Sequence, residues 1–534
     1  MKRHSSRASN GSHFLPGRRP RKTINARVGR SCQGKREREM RGKQVTTAVG
    51  CTASHGPARG TWASHLAMAA GSPRDEEKPL LHYVSSINLP EIITGRARHP
   101  QKAAAIPCSG HGRVFLDTIL AANGEPSCEC NRCFAGTDCS SKIKNCNAKV
   151  DSGDPMFLEP FWDANAEAGA VVIPPVHRMS YLTEATAEGR RITLELERLI
   201  RQVHEFVGNA VIKDKFIVIG TGSMELINAA VASLAPIASN TLPKSPPALV
   251  VSRAPYYQAY QMQTEFFAST QYIWGGEPSI AAKKFANTGS TFIEFVAAPN
   301  NPDASMKEPE LKFNGSFTVF DRAYYWPHYS PIFKAMDDDV MLFTLSKLTG
   351  HAGSRLGWAI VKDPKVYARL SQYVLLNTNG VSHDTQLRAS RLLRAVLEGY
   401  STTGAKTGVR DPQVYAKSQH IFHFAQSVMN SRWQKLEKIF ARSMQFSLQY
   451  VEAQQCNFFK AIISPSPAYA WVKCEDPGLI MNSSCFNVFK NAGIIGRAGG
   501  YGDERDNSYV RFALLIGNDD FDNFMEHLNK FLTE

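Results

Sequence analysis

The stretch Thr344-Leu345-Ser346-Lys347-Leu348-Thr349-Gly350-His351-Ala352-Gly353-Ser354-Arg355 holds the residue types that could do covalent chemistry. Lys347 follows the apolar run Met341-Leu342-Phe343, and an arginine stands eight positions after it. A lysine at the end of a buried strand is costly unless its ammonium is paired or its amine is used covalently. The covalent use is a Schiff base with an aldehyde cofactor, whose phosphate the neighbouring hydroxyls and the arginine would hold. The bland alternative is a strand end whose lysine snorkels to solvent.

Two further segments supply partners for such a cofactor. Phe317-Thr318-Val319-Phe320 reads as a short buried strand closed by Asp321, with Tyr324-Tyr325-Trp326 after it. A carboxylate at a strand end can face a pyridine nitrogen and keep it protonated, as a pyridoxal phosphate ring requires. A capping or turn Asp is the commoner fate. Phe292-Ile293-Glu294-Phe295-Val296 is another strand, and it runs into Pro299-Asn300-Asn301-Pro302-Asp303. The Asn301 amide there could bond a ring hydroxyl, or the segment is only a turn. Phe216-Ile217-Val218-Ile219 is broken by Gly220-Thr221-Gly222-Ser223, and helical character follows from Met224. Free N–H groups at such a junction attract phosphate. The third glycine of a dinucleotide fingerprint is missing.

Asp321-Arg322-Ala323-Tyr324-Tyr325-Trp326-Pro327-His328-Tyr329 and Ser346 to Ala359 resemble the plant alliinase and tryptophan-aminotransferase-related family of fold-type-I pyridoxal-phosphate enzymes. The likeness covers roughly residues 105–534. It implies that Lys347 carries the cofactor and that Asp321 faces the pyridine nitrogen. Asn301 and Tyr324 would bond the ring's phenolic oxygen. Ser223, the backbone of Met224, Thr344, Ser346 and Arg355 would hold the phosphate. Tyr257 matches the aromatic that stacks on the ring. Tyr181 matches a tyrosine that reaches the cofactor from a neighbouring subunit, so the resemblance also implies a homodimer. Arg511 matches the arginine that clamps the substrate carboxylate, a contact suited to a guanidinium fork. No metal is implied.

The positioning elements follow from the rest of the chain. Strands at 216–219, 248–252, 292–297, 317–320, 341–345 and 358–362 alternate with helical stretches, which implies a mainly parallel sheet with chemistry at its strand ends. The expected fold class is α/β: a large domain at 196–385, and a smaller α+β domain at 386–534. An arm at 148–195 precedes them. Tyr325, Trp326 and Phe157 are candidates for the substrate pocket or for the core.

Six of the 11 cysteines fall in a Gly-rich stretch, at 108, 128, 130, 133, 139 and 146. An even count in so short a region suggests disulfides, with pairing left open and zinc as a rival. By resemblance, 105–147 is an EGF-like module, and Cys474 with Cys485 matches a family disulfide. Cys32, Cys51 and Cys456 lack partners. Disulfides place the protein in the secretory pathway, the vacuole or outside the cell. Yet no apolar signal core is visible, and Met68 is an alternative start. Asn482-Ser483-Ser484 and Asn314-Gly315-Ser316 are sequons that matter only on that route.

Residues 1–104 read as a basic, disordered extension. Residues 1–60 alone hold fifteen Lys and Arg against Glu37 and Glu39, nearly the whole formal net charge of +14. The remainder is close to neutral, so no nucleic-acid partner is expected. No apolar run approaches the roughly 20 residues that cross a bilayer.

The expected reaction is transamination between an aromatic L-amino acid and a 2-oxo acid. L-tryptophan would give indole-3-pyruvate, an auxin precursor. Leu345, Ala352 and Asn301-Pro302-Asp303 lean that way within the family. The alternative is alliinase-type C–S lysis of S-alkyl-L-cysteine sulfoxides, towards which the Cys-rich module leans. A catalytically inactive extracellular binding protein is a third reading, opposed by the intact set of site residues.

Overall fold

The structure is a computed structural model that describes residues 106–115, 117, 126–183, 191–236, 245–401, 420–481, 483–499 and 507–533. The basic extension at 1–104, Cys32, Cys51 and Asn482 of the first sequon lie outside the described residues.

Helix α1 (Leu194–Val207) opens the catalytic part. Thr193 caps it by accepting from Leu196 N, and Leu196, Leu199, Ile200, Val203 and Val207 form its buried stripe. Strand β1 (Phe216–Gly220) leads into helix α2 (Gly222–Leu234), and β2 (Ala248–Val251) and β3 (Tyr272–Gly276) follow. Next come β4 (Phe292–Ala297), β5 (Ser316–Asp321), β6 (Val340–Thr344), the short helix α3 (Leu345–Thr349) and β7 (Gly357–Val361). The seven strands form one sheet in the order β1-β7-β6-β5-β4-β2-β3. Pairing is parallel from β6 to β3, while β7 runs antiparallel to both β6 and β1. Six of these strands match the expected ones. The seventh, β3, is an edge strand with only Tyr272 buried, so it lacks the continuous apolar run that marks its neighbours.

Register collects the polar strand ends. Thr344 pairs with Gly357, which pairs in turn with Gly220. Asp321 pairs with Ala297 on one side and Leu342 on the other. The C-terminal ends of β1, β4, β5 and β6 therefore lie along one edge of the sheet, beside the first turn of α2.

Helices α4 (Pro364–Thr378), α5 (His383–Gly399) and α6 (Ile421–Phe440) lead to a four-stranded antiparallel sheet. It comprises β8 (Phe446–Leu448), β9 (Tyr469–Cys474), β10 (Arg497–Ala498) and β11 (Tyr509–Ala513), in the order β8-β9-β11-β10. Helix α7 (Asn518–Thr533) closes the described chain. The divisions drawn at 195/196 and 385/386 fall inside α1 and α5. Trp326, Tyr325 and Phe157 are buried in the hydrophobic core, and none of them is among the residues that line the cavity around Lys347.

The six clustered cysteines are disulfide-bonded as Cys108–Cys128, Cys130–Cys139 and Cys133–Cys146, and Cys474 pairs with Cys485. The zinc alternative gives way to this pairing. Cys456 is free and buried. The module holds to α7: His111 and Asn131 both bond the Asp519 carboxylate, and Lys142 pairs with Glu526. Among the described residues no helix is long and apolar enough to cross a membrane.

Candidate active site

Lys347 sits on the helical turn α3, one step beyond the strand end that the apolar run suggested. Thr344 caps this turn: its Oγ1 accepts from Ser346 N at 3.2 Å and donates to Ser346 Oγ at 3.0 Å. The Lys347 carbonyl is held by His328 Nε2 at 3.0 Å and by the Tyr329 hydroxyl at 3.3 Å. Its Nζ donates to the carbonyl of Gly153, on the arm. Burial pushes the Lys347 ammonium below the usual lysine range. Tyr469 and Asp154 oppose that, and Arg511 and Arg355 add to it.

Asp321 is buried at the end of β5. It accepts from the Tyr260 hydroxyl at 2.9 Å and from Ala323 N at 3.1 Å. Burial holds its carboxyl above the usual range, against those two donors and the charges of Lys347 and Arg322.

The Thr221 side chain makes no capping bond to the first turn of α2, where Ser223 and Met224 lie, and the Glu225 carboxylate accepts from Thr221 N at 2.6 Å. Gly222 has φ +73°, and a Cβ built there would lie 2.5 Å from Arg355 Nη2. The missing side chain lets the guanidinium lie against this helix start. Tyr257 donates to Met224 Sδ at 3.4 Å, and burial pushes its phenol up to about 12.

The small sheet contributes the other wall. Arg511 is 1% exposed; its Nη1 donates to Asn301 Oδ1 at 3.0 Å and its Nη2 to Asp151 O at 3.0 Å. Its buried Nε has no partner. Tyr469 and Tyr324 share a buried hydroxyl–hydroxyl bond of 2.6 Å.

These residues line one cavity of about 230 Å³. Of the residues expected at the site, it brings together Ser223, Met224, Tyr257, Asn301, Asp321, Tyr324, Thr344, Ser346, Lys347, Arg355 and Arg511. Tyr181 is not among the lining residues and is 75% exposed. Gly153, Tyr260, Tyr469 and Arg497 also line the cavity and were missed. Tyr260 carried a weak local signal, its i+3 spacing from Tyr257 at the start of a helix. The other three have none, because strand pairing or chain crossing brings them in.

Solved structures share the fold. An aminotransferase from Staphylococcus aureus aligns over 72% of this chain and 94% of its own, with a TM-score of 0.50 and 15% identity. The fold is that of the fold-type-I pyridoxal-phosphate enzymes. Sequence narrows the class. The family model described as Allinase matches residues 148–532, and that of the Alliinase EGF-like domain matches 94–146. The chain belongs to the alliinase family. It is 40% identical to Tryptophan aminotransferase-related protein 4 of Arabidopsis thaliana over 84% of this chain and 92% of the relative. It is also 40% identical to Alliin lyase 1 of Allium sativum over 81% of this chain and 84% of the relative.

The cofactor is pyridoxal 5′-phosphate, and the residues present fit it. The cavity lining carries four cationic side chains, Lys347, Arg355, Arg497 and Arg511, against the two carboxylates of Asp154 and Asp321. That excess suits a phosphate together with a substrate carboxylate. A helix start that its N-cap side chain leaves open, with Arg355 against it, suits a phosphate. Among the described residues the buried Asp321 forms no ion pair, Arg322 pairing with Asp338 instead, and a protonated ring nitrogen would supply one.

Proposed function

We propose that this protein is a pyridoxal-phosphate-dependent aminotransferase for an aromatic L-amino acid, with L-tryptophan and a 2-oxo acid as substrates and indole-3-pyruvate, an auxin precursor, as product. The observation that carries the reading is one cavity lined by Lys347, Asp321 and Arg511. When bound, the cofactor supplies an electron sink for the substrate α-carbon. Lys347 would hold the cofactor through its amine and would serve as the base for the substrate α-proton. A lowered lysine pKa suits that task. Asp321 would keep the ring nitrogen protonated. Ser223, Met224 N, Thr344, Ser346 and Arg355 would hold the phosphate, Tyr257 would cover the ring, and Asn301 and Tyr324 would lie at its phenolic oxygen. Arg511 takes the substrate carboxylate. The 40% identity to Tryptophan aminotransferase-related protein 4 supports an aromatic substrate.

A second reading, C–S lysis of an S-alkyl-L-cysteine sulfoxide, is favoured by the 40% identity to Alliin lyase 1. The two part after the α-proton is taken: the β-substituent is kept in one and expelled in the other. Purified protein given tryptophan and pyruvate should form indole-3-pyruvate. Pyruvate released from the sulfoxide, with no product from tryptophan, would reverse the choice. Borohydride fixation should label Lys347, and Lys347→Ala should lose both the label and the visible absorption of the bound cofactor.

The assembly that fits is a homodimer, in which Tyr181 reaches the partner's cavity. The arm around it exposes Val172, Val176, Met179 and Tyr181 at 75% or more, apolar surface that a second copy would cover.

A further inference from the structure

Tyr469 stands where three site residues converge, yet the reaction proposed above assigns it no task. Its hydroxyl is 2.6 Å from that of Tyr324. A Cβ built on Gly153 would lie 2.7 Å from the Tyr469 hydroxyl and 3.5 Å from Lys347 Nζ, so phenol and amine flank the same glycine. The Arg511 guanidinium lies over the Tyr469 ring, 4.0 Å from its centroid. Register holds the phenol in place. Trp471 pairs with Arg511 across β9 and β11, and Tyr469 is two positions along, on the same face.

We propose that Tyr469 is a positioning residue that tunes proton transfer at Lys347: in the cofactor-free site the phenol accepts from Tyr324, and its negative end offsets Arg511 and Arg355 at the lysine amine. This rests on the reading that Lys347 moves the substrate α-proton. The surrounding charges agree with it. Burial opposes ionisation of Tyr469, but Arg511, Lys347, the Tyr324 hydroxyl and Arg497 outweigh it and hold the phenol below its ordinary range. Burial and Tyr469 push Tyr324 well above that range, which makes Tyr324 the donor of the pair. Tyr257 and Tyr329 also face the phenol, and both are raised, burial first. At Lys347, Tyr469 and Asp154 favour the ammonium, while burial, Arg511 and Arg355 oppose it. Removing the phenol hydroxyl therefore lowers the pH at which Lys347 titrates.

The test is Tyr469→Phe in the full chain. In cofactor-free protein, tyrosinate absorbance should show one phenol ionising ahead of the rest, and the variant should lose that phase. Tyr324→Phe removes the donor and should shift the same phase to higher pH, which keeps the test open if Tyr469→Phe folds poorly. With pyridoxal phosphate added, the pH midpoint of the visible band should fall by about one unit in Tyr469→Phe. In that variant kcat should drop about tenfold, with KM within about twofold. Gly153→Ala should harm the wild type more than it harms Tyr469→Phe, because the ring carbon beneath the hydroxyl is 3.8 Å from the new Cβ. A visible band with an unmoved midpoint overturns the proposal and leaves the Lys347 reading intact. A wild-type protein with no borohydride label on Lys347 overturns both.

Discussion

Arg511 donates through Nη1 to the side-chain oxygen of Asn301, at 3.0 Å, and so ties the small antiparallel sheet to the loop after β4. The bond joins the proposed carboxylate clamp to a residue expected at the cofactor ring. It also fixes the guanidinium plane, with Nη2 anchored on Asp151 O. A fork held on both nitrogens is organised before substrate arrives, so little is lost in ordering it.

Arg511→Lys tests that arrangement. An ammonium cannot hold Asn301, Asp151 and a carboxylate in one plane. We expect kcat/KM for the amino acid to fall about a hundredfold, mostly through KM, which corresponds to ~3 kcal/mol. Steady-state kinetics decide it; an unchanged KM would remove Arg511 from the substrate site.

Tyr260→Phe tests the support of Asp321. The lost donor leaves the carboxylate with the Ala323 amide as its remaining neutral donor, and its pKa rises further above the usual range. Less of it is ionised to face the ring nitrogen. Cofactor affinity, followed by absorbance titration, should weaken about tenfold. Equal affinity would mean that Asp321 does not depend on this phenol.

Acid should destabilise the fold through buried histidines. His204 takes a hydrogen bond from Trp358 Nε1 on Nε2, so its Nδ1–H donates to Asn209 Oδ1, which defines the neutral ring. Burial holds its pKa down at about 4 and that of His328 at about 3. Both values lie below the unfolded value of about 6.5. The neutral-ring contribution is thus complete above pH 6.5 and is lost as pH falls towards 4. For His204 the loss is on the order of 3 kcal/mol. Denaturant unfolding at pH 7 and pH 4.5 should show the drop, and His204→Gln should lessen it by the His204 share, with that of His328 remaining. A slope unchanged in that variant would place the acid sensitivity elsewhere.

The Cys474–Cys485 bridge closes a loop with a sequence separation of 11. Replacing both cysteines by serine should cost about 3 kcal/mol of stability while sparing the visible band. Coincident unfolding curves for variant and wild type would show that the bridge contributes nothing.

Much of the site was readable from local sequence, because its chemistry is concentrated where apolar runs stop. Asp321, Asn301, Ser223 and Lys347 each follow a stretch that must be buried, and polar groups at such ends face a cleft. The parallel strands were legible for the same reason: buried on both faces, they read as continuous apolar runs. Strand β3 escaped because only Tyr272 of it is buried, which leaves a mixed pattern, whereas β1 at the other edge is buried along most of its length. Lys347 was read at a strand end, and the structure puts it on a helical turn that Thr344 caps. Backbone choices of that length are decided by capping and tertiary contact.

Residue order by itself determined the class of chemistry, through the lysine, the carboxylate and the glycine break, each surrounded by its own neighbours in the chain. Only the tertiary structure decided that Gly153, Tyr469 and Arg511 meet that lysine. Contacts between residues so far apart in the chain are set by strand register and by how the arm crosses the sheet edge. Those depend on the packing of whole elements, which no local pattern encodes.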